Sequence, residues 1–139
     1  MRAPCLPQGG VIGICSPSHV AERGRYARIE AGIRALGFQV REGDNLYRDT
    51  YGYLATPEER AADFHQLLYD EDVGLIFFGG GEGGNGLLPL LDFDAIRRHP
   101  KRMASFSDGT TLLCAIWAKT GLETYYGPTP SCFEALTDY

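Results

Sequence analysis

Eight consecutive positions, Gly79-Gly80-Gly81-Glu82-Gly83-Gly84-Asn85-Gly86, hold six of the chain's eighteen glycines. Such a run can cradle a phosphate on backbone N–H groups, and GxGxxG fits it in two overlapping frames, starting at Gly79 and at Gly81. Any tract this rich in glycine fits by composition, however. The segment after it is short and contains Pro89, unlike the long helix on which a dinucleotide pyrophosphate rests. No GxxxxGKS or GxxxxGKT is present, which excludes a nucleoside triphosphate loop. The same glycines can instead bring N–H groups close to a reacting carbonyl, an approach that a Cβ would obstruct. They also suit a tight strand-to-helix turn with no ligand. The second pattern is Ser105-Phe106-Ser107-Asp108-Gly109, which matches a G-x-S-x-G nucleophile elbow in all but its first position. In that geometry Ser107 Oγ projects above a sheet edge, and the N–H of Asp108 faces an oxyanion position at a helix N-terminus. The alternative is that Ser107 or Asp108 simply caps the following helix.

Other chemistries find less support. Cys5, Cys15, Cys114 and Cys132 show no CxxC and no Cys/His spacing of zinc type, so neither a metal nor any other cofactor is expected. Cys15 and Cys114 lie in apolar runs and read as buried free thiols. Thirteen Lys and Arg against eighteen Asp and Glu give a net charge of -5, with no basic run to grip a phosphate backbone, which argues against nucleic acid. Apolar stretches fall short of the ~20 residues of a membrane span, and the first residues lack a signal-peptide core. The expectation is a soluble, cytoplasmic protein with no membrane partner.

The elements that must position these residues alternate. Val11 to Cys15 reads as a buried strand running into Ser16-Pro17-Ser18, and a helix follows from about Ala21 to Leu36 with apolar or small residues recurring at Tyr26, Ile29, Ile33 and Leu36. Phe38 to Val40 reads as a strand and residues 41–55 as a long loop. Thr56-Pro57-Glu58-Glu59 is a capping box with proline at the first helical position, opening a helix that carries Ala62, Phe64, Leu67 and Leu68 inward. Val73 to Phe78 has the composition of a strand covered on both faces. Short helices are expected at Gly86 to Leu91 and Phe93 to Arg98, a strand at Met103 to Phe106, a helix from Thr110 to Lys119, and a last strand at Glu123 to Tyr126. This alternation predicts a single α/β domain over residues 1–139: an open, mostly parallel sheet with helices on both faces, flavodoxin- or Rossmann-like in three layers. Ligands of such sheets bind beyond the carboxyl ends of the strands, here residues 16–19, 44 onward, 79–86, 107–109 and 127 onward.

Matching stretches then run in order from about Gly10 to Pro128: Ser16-Pro17-Ser18, Tyr51-Gly52-Tyr53-Leu54-Ala55, Arg60-Ala61-Ala62-Asp63, Gly80-Gly81, Leu87-Leu88-Pro89 with Asp92 and Asp94, Ser107-Asp108, and Tyr126-Gly127-Pro128. Together they resemble the N-terminal domain of the LD-carboxypeptidase family of serine peptidases, which includes the microcin C immunity peptidases. The resemblance implies a hydrolase acting on an amide bond, with Ser107 as nucleophile. It implies an oxyanion hole from the N–H groups of Asp108 and of one residue of the Gly80-Gly81 pair. Muropeptide-cleaving members usually have an arginine just before that pair, where this chain has Gly79. The loop with Asn85 and the stretch Tyr125 to Pro128 look closer to the microcin immunity branch, whose substrates are aminoacyl or peptidyl nucleotides. Glu82, Asn85 and Ser18 are the expected substrate contacts, with Glu82 at a place where the family commonly has tyrosine.

In this family the partners of the serine, a glutamate and a histidine, come from a C-terminal domain, and residue 139 precedes where that domain would begin. A serine without an adjacent base is a poor nucleophile, so the chain alone is expected to be weak or inactive, completed by that domain or by a homodimer partner. Among its own histidines, His99 is expected at the opposite sheet edge from Ser107 and His65 on a helix as a half-buried packing residue. His19 alone falls on a loop at the correct edge, where it could act as base with Glu82 orienting it. Two other readings use the same crevice: a non-catalytic module that binds a peptide or aminoacyl nucleotide, and a nucleotide-cofactor domain. A domain that normally packs on another is expected to expose an apolar face, placed near Trp117, Tyr125 and Phe133.

Overall fold

The computed structural model describes residues 1–18 and 21–135. Among them five strands, β1 (Val11–Cys15), β2 (Gln39–Glu42), β3 (Val73–Phe78), β4 (Arg102–Ser105) and β5 (Tyr125–Tyr126), form one sheet in the order β2-β1-β3-β4-β5, with every pairing parallel. The helices are α1 (Arg23–Ala35), α2 (Pro57–Tyr69), α3 (Phe93–Arg98) and α4 (Thr110–Thr120). The expected three-layer α/β architecture is what the chain adopts. Alternation along the strands divides the core. Ile12, Ile14, Phe77 and Ala104 pack with Ile29 and Ile33 of α1 on one face of the sheet. Cys15, Ile76, Phe78 and Met103 pack with Phe64, Leu67, Ile96, Leu112 and Ile116 of the other helices on the opposite face.

The capping box forms as the sequence predicts. Thr56 Oγ1 accepts from Glu59 N at 3.1 Å and Glu59 Oε2 accepts from Thr56 N at 2.9 Å, which starts α2 with Pro57 in its first turn. Several expectations need correction. α1 begins at Arg23, two residues later than expected, because the Glu22 carboxylate caps it through Gly24 N and Arg25 N. Ala62 is exposed and Ala61 takes its place inside, as the helical spacing with Phe64 and Leu68 demands. The expected strand at Phe38 to Val40 instead covers Gln39–Glu42, and the last strand shrinks to Tyr125–Tyr126. The expected helix at Gly86 to Leu91 is a 3₁₀ helix, Gly84–Leu90, whose tighter repeat accommodates Pro89. Cys15 is buried, and burial pushes its thiol well above the usual range, but Cys114 is exposed. On α4 the inward stripe is Leu112, Leu113 and Ile116, and position 114 points away from it.

The expected apolar face also divides. Trp117 is 61% exposed on the outer side of α4. Phe133, from the 3₁₀ turn Pro130–Phe133, packs on the α1 side of the sheet with its ring centroid 5.5 Å from that of Phe77. No helix among the described residues is long and apolar enough to cross a membrane.

Candidate active site

Chain order and sheet order differ at β1. The chain passes from β1 outward to β2, then returns to β3 on the other side of β1, so the connections leaving β1 and β3 diverge and open a crevice at their carboxyl ends. Both glycine loop and serine turn lie at this edge. Parallel pairing up to Phe77 and Ala104 ends β3 and β4 at the same sheet edge, so the glycine loop and the serine turn leave it side by side. Gly79 N donates to Cys15 O at 2.8 Å, extending the β1–β3 ladder to the start of the glycine loop. A cavity of about 380 Å³ opens here, bordered by Ser16, Tyr26, Gly79, Gly80, Gly81, Phe106 and Thr129. The loop from Asp44 does not border it, because Asn45 is tied back to Asp63 of α2 through two hydrogen bonds of 2.9 and 2.8 Å.

Ser107 is exposed and has φ of +57°, the only positive φ at a non-glycine among the described residues. A serine in this left-handed conformation costs of order 1–3 kcal/mol and persists where the surrounding structure imposes it, as at a strand-to-helix elbow. The capping alternative does not hold. No side-chain hydrogen bond caps the 3₁₀ turn Ser107–Gly109 or α4. The Asp108 carboxylate turns instead toward the neighbouring loops: its Oδ2 accepts from Ser18 Oγ at 2.5 Å and from Gly84 N at 2.7 Å.

Ser18 is therefore 1% exposed and engaged with Asp108, whereas Glu82 and Asn85 stand exposed on the glycine loop. Gly81 has φ of +135°, and Gly79 is closed in: a Cβ there would lie 2.8 Å from Tyr26 Oη. No arginine fits at position 79 without displacing Tyr26, whose own burial pushes its hydroxyl up to about 12. His65 Nε2 accepts from Asp92 N at 3.1 Å and burial lowers the pKa of its ring. His99 caps the end of α3 and contacts Tyr69, at the edge of the sheet where strands enter. Neither reaches Ser107. His19 lies outside the described residues. Among the described residues no three His, Cys, Asp or Glu side chains gather as a metal site would require.

No catalytic motif of the sequence includes Arg60. It is 4% exposed in α2, where it donates to Pro17 O and, at 3.1 Å, to Gly83 O. The available signal is its spacing: Arg60, Phe64 and Leu67 share one face of the helix, so a charge sits in the apolar stripe.

The site thus combines a strained serine at a β4–α4 elbow with a glycine loop at the same carboxyl edge of the sheet. Residues 12–127 match the model of the LD-carboxypeptidase N-terminal domain. The chain belongs to this family. It is 39% identical over 132 residues to the microcin C7 self-immunity protein MccF of Escherichia coli, covering 92% of this chain and 38% of that protein. To a probable murein peptide carboxypeptidase of Bacillus subtilis it is 34% identical over 139 residues, covering 99% of this chain and 43% of the relative. The solved structure of MccF in complex with aspartyl sulfamoyl adenosine superposes with a TM-score of 0.92 at 36% identity, covering 98% of this chain and 42% of that one. The chain thus spans about two fifths of the length of the curated relatives it matches.

Proposed function

We propose that this chain carries the nucleophile and oxyanion hole of a serine hydrolase of LD-carboxypeptidase type. The observation that supports it most is the left-handed Ser107 at the β4–α4 turn, next to a glycine loop that is tied to the same turn by Gly84 N donating to Asp108 Oδ2 at 2.7 Å. Ser107 Oγ attacks the carbonyl carbon of an amide, passing its proton to a base. The N–H groups of Asp108 and of one residue of Gly80-Gly81 hold the oxygen that becomes negative. Collapse then releases the amine with a proton from the base, and water hydrolyses the acyl-enzyme. The histidine and glutamate that complete the triad belong to a C-terminal domain, or to a partner. The substrate favoured is a peptidyl or aminoacyl nucleotide over a muropeptide, because position 79 is glycine where muropeptide-cleaving members have an arginine and because a solved relative holds aspartyl sulfamoyl adenosine. Glu82 and Asn85 line the approach, and no metal or cofactor takes part. The reaction is a cytoplasmic one.

A fluorophosphonate probe tests the reading. The chain alone should label weakly at Ser107, labelling should rise when the C-terminal region of a full-length relative is fused to it, and Ser107→Ala should abolish it. Labelling that persists in Ser107→Ala rejects Ser107 as nucleophile. The non-catalytic alternative predicts no labelling in any form and undiminished binding of an aminoacyl sulfamoyl nucleoside by Ser107→Ala.

A further inference from the structure

Two dipeptides flank the serine turn, and each is held twice. Pro17 O accepts from Arg60 Nη1 while the hydroxyl of the next residue, Ser18, donates to Asp108 Oδ2 at 2.5 Å. Gly83 O accepts from the same Arg60 Nη1 at 3.1 Å while the N–H of the next residue, Gly84, donates to the same Asp108 Oδ2 at 2.7 Å. One nitrogen and one oxygen thus pin both loops that border the crevice. Burial lowers the pKa of the Arg60 guanidinium, and Asp108 is the foremost charge opposing that effect. Arg60 is further aimed by Nε, which reaches Thr56 O at 3.4 Å in its own helix.

The charges fit this task. A cation takes two carbonyl oxygens and an anion takes an O–H and an N–H, so all four hydrogen bonds are charge-assisted, about twice the strength of neutral ones. The carboxylate also ties the glycine loop to the residue whose N–H is the proposed oxyanion donor. Any slip of the glycine loop relative to Ser107 must break at least one of these bonds. We infer that Arg60 and the Asp108 carboxylate are positioning residues that fix the distance between the two halves of the oxyanion hole. The inference rests on the hydrolase reading given above, since it names what sets the geometry of that same site.

Amide hydrogen exchange, read by NMR on the chain, tests the clamp without requiring catalysis. Arg60→Met keeps the aliphatic length but cannot donate; Arg60→Lys keeps the charge and a cationic donor, one bond shorter. Asp108→Ala keeps the backbone N–H and removes the shared acceptor. In Arg60→Met and Asp108→Ala the Gly84 amide should exchange roughly tenfold faster or more, while Ile76 in the middle of the sheet is unchanged. Arg60→Lys should recover most of the protection, a rescue that a simple loss of packing would not show. Gly84 exchange within twofold of the parent in both Arg60→Met and Asp108→Ala overturns the clamp. If Arg60→Met fails to fold, Asp108→Ala decides by itself, because Asp108 is not in the core. In the fused form, the same variants should lower the maximal rate of Ser107 labelling with little change in probe affinity. Absence of labelling in the parent would count against the hydrolase reading and leave the exchange result to judge the clamp.

Discussion

Gly80 and Gly109 belong to neighbouring loops at one sheet edge, yet their hydrogens answer to different demands. A Cβ on Gly109 would lie 2.1 Å from Ser105 Oγ and 2.8 Å from Ser105 Cβ, under a serine that donates to Phe78 O and locks β4 to β3. A Cβ on Gly80 would meet no atom within 4 Å. Gly109→Ala should therefore destabilise the fold by about 3 kcal/mol, the upper part of the range for overpacking a filled site. Gly80→Ala should stay within about 0.5 kcal/mol of the parent, as surface substitutions do. Urea denaturation separates the two. If Gly80 serves the proposed oxyanion hole, labelling of Ser107 in the fused protein should fall in Gly80→Ala despite its intact stability, because the methyl group would obstruct the approach of a carbonyl. Ser105 explains the departure from G-x-S-x-G: its hydroxyl is buried and bonded, so the first glycine of that pattern is not needed here.

At the scale of the element, α2 combines three tasks along one helix. Its capping box fixes where it begins, Arg60 and Asp63 reach the loops beyond the carboxyl edge, and Phe64, Leu67 and Leu68 fill the core. Near its other end His65 accepts from Asp92 N, which its neutral ring alone can do, and burial lowers its pKa below the ordinary histidine value. The folded state then binds a proton less readily than the unfolded chain. Stability from this group is present above the unfolded pKa of about 6.5 and is lost as pH falls through the lower folded value. The melting temperature of the parent should decline more steeply than that of His65→Gln between pH 7 and pH 5. Equal slopes in the two proteins would remove His65 as the source.

Across the whole molecule, β3 carries the consequence of any change. Ile76 is fully buried, pairs with Gly13 on one side and Met103 on the other, and belongs to the larger core cluster. Ile76→Ala should cost about 2–5 kcal/mol, a large share of the 5–15 kcal/mol typical of a domain. Circular dichroism and Trp117 fluorescence should report one coincident urea transition, since the two core clusters share the sheet. Much of this was legible in advance. The capping box, the six-residue strand Val73 to Phe78 and the Phe93 to Arg98 helix follow from local pattern, because capping, apolar periodicity and proline act within a few residues. So did the elbow at Ser107, since a serine between a strand and a helix is a local arrangement. The clamp was not legible: Pro17, Arg60, Gly83 and Asp108 are up to 91 positions apart, and nothing local distinguishes an arginine that will be buried from one that will be solvated. The same holds for Cys114 and Phe133, because the apolar run around Cys114 and the aromatic side chain of Phe133 do not say which face of an element will be covered. By itself the sequence determined the order of elements, the parallel three-layer architecture and the serine turn, all of which rest on short-range chemistry. Only the tertiary structure decided which side chains stand at the crevice and which hold it in shape, because that depends on which distant loops the sheet order brings to one edge.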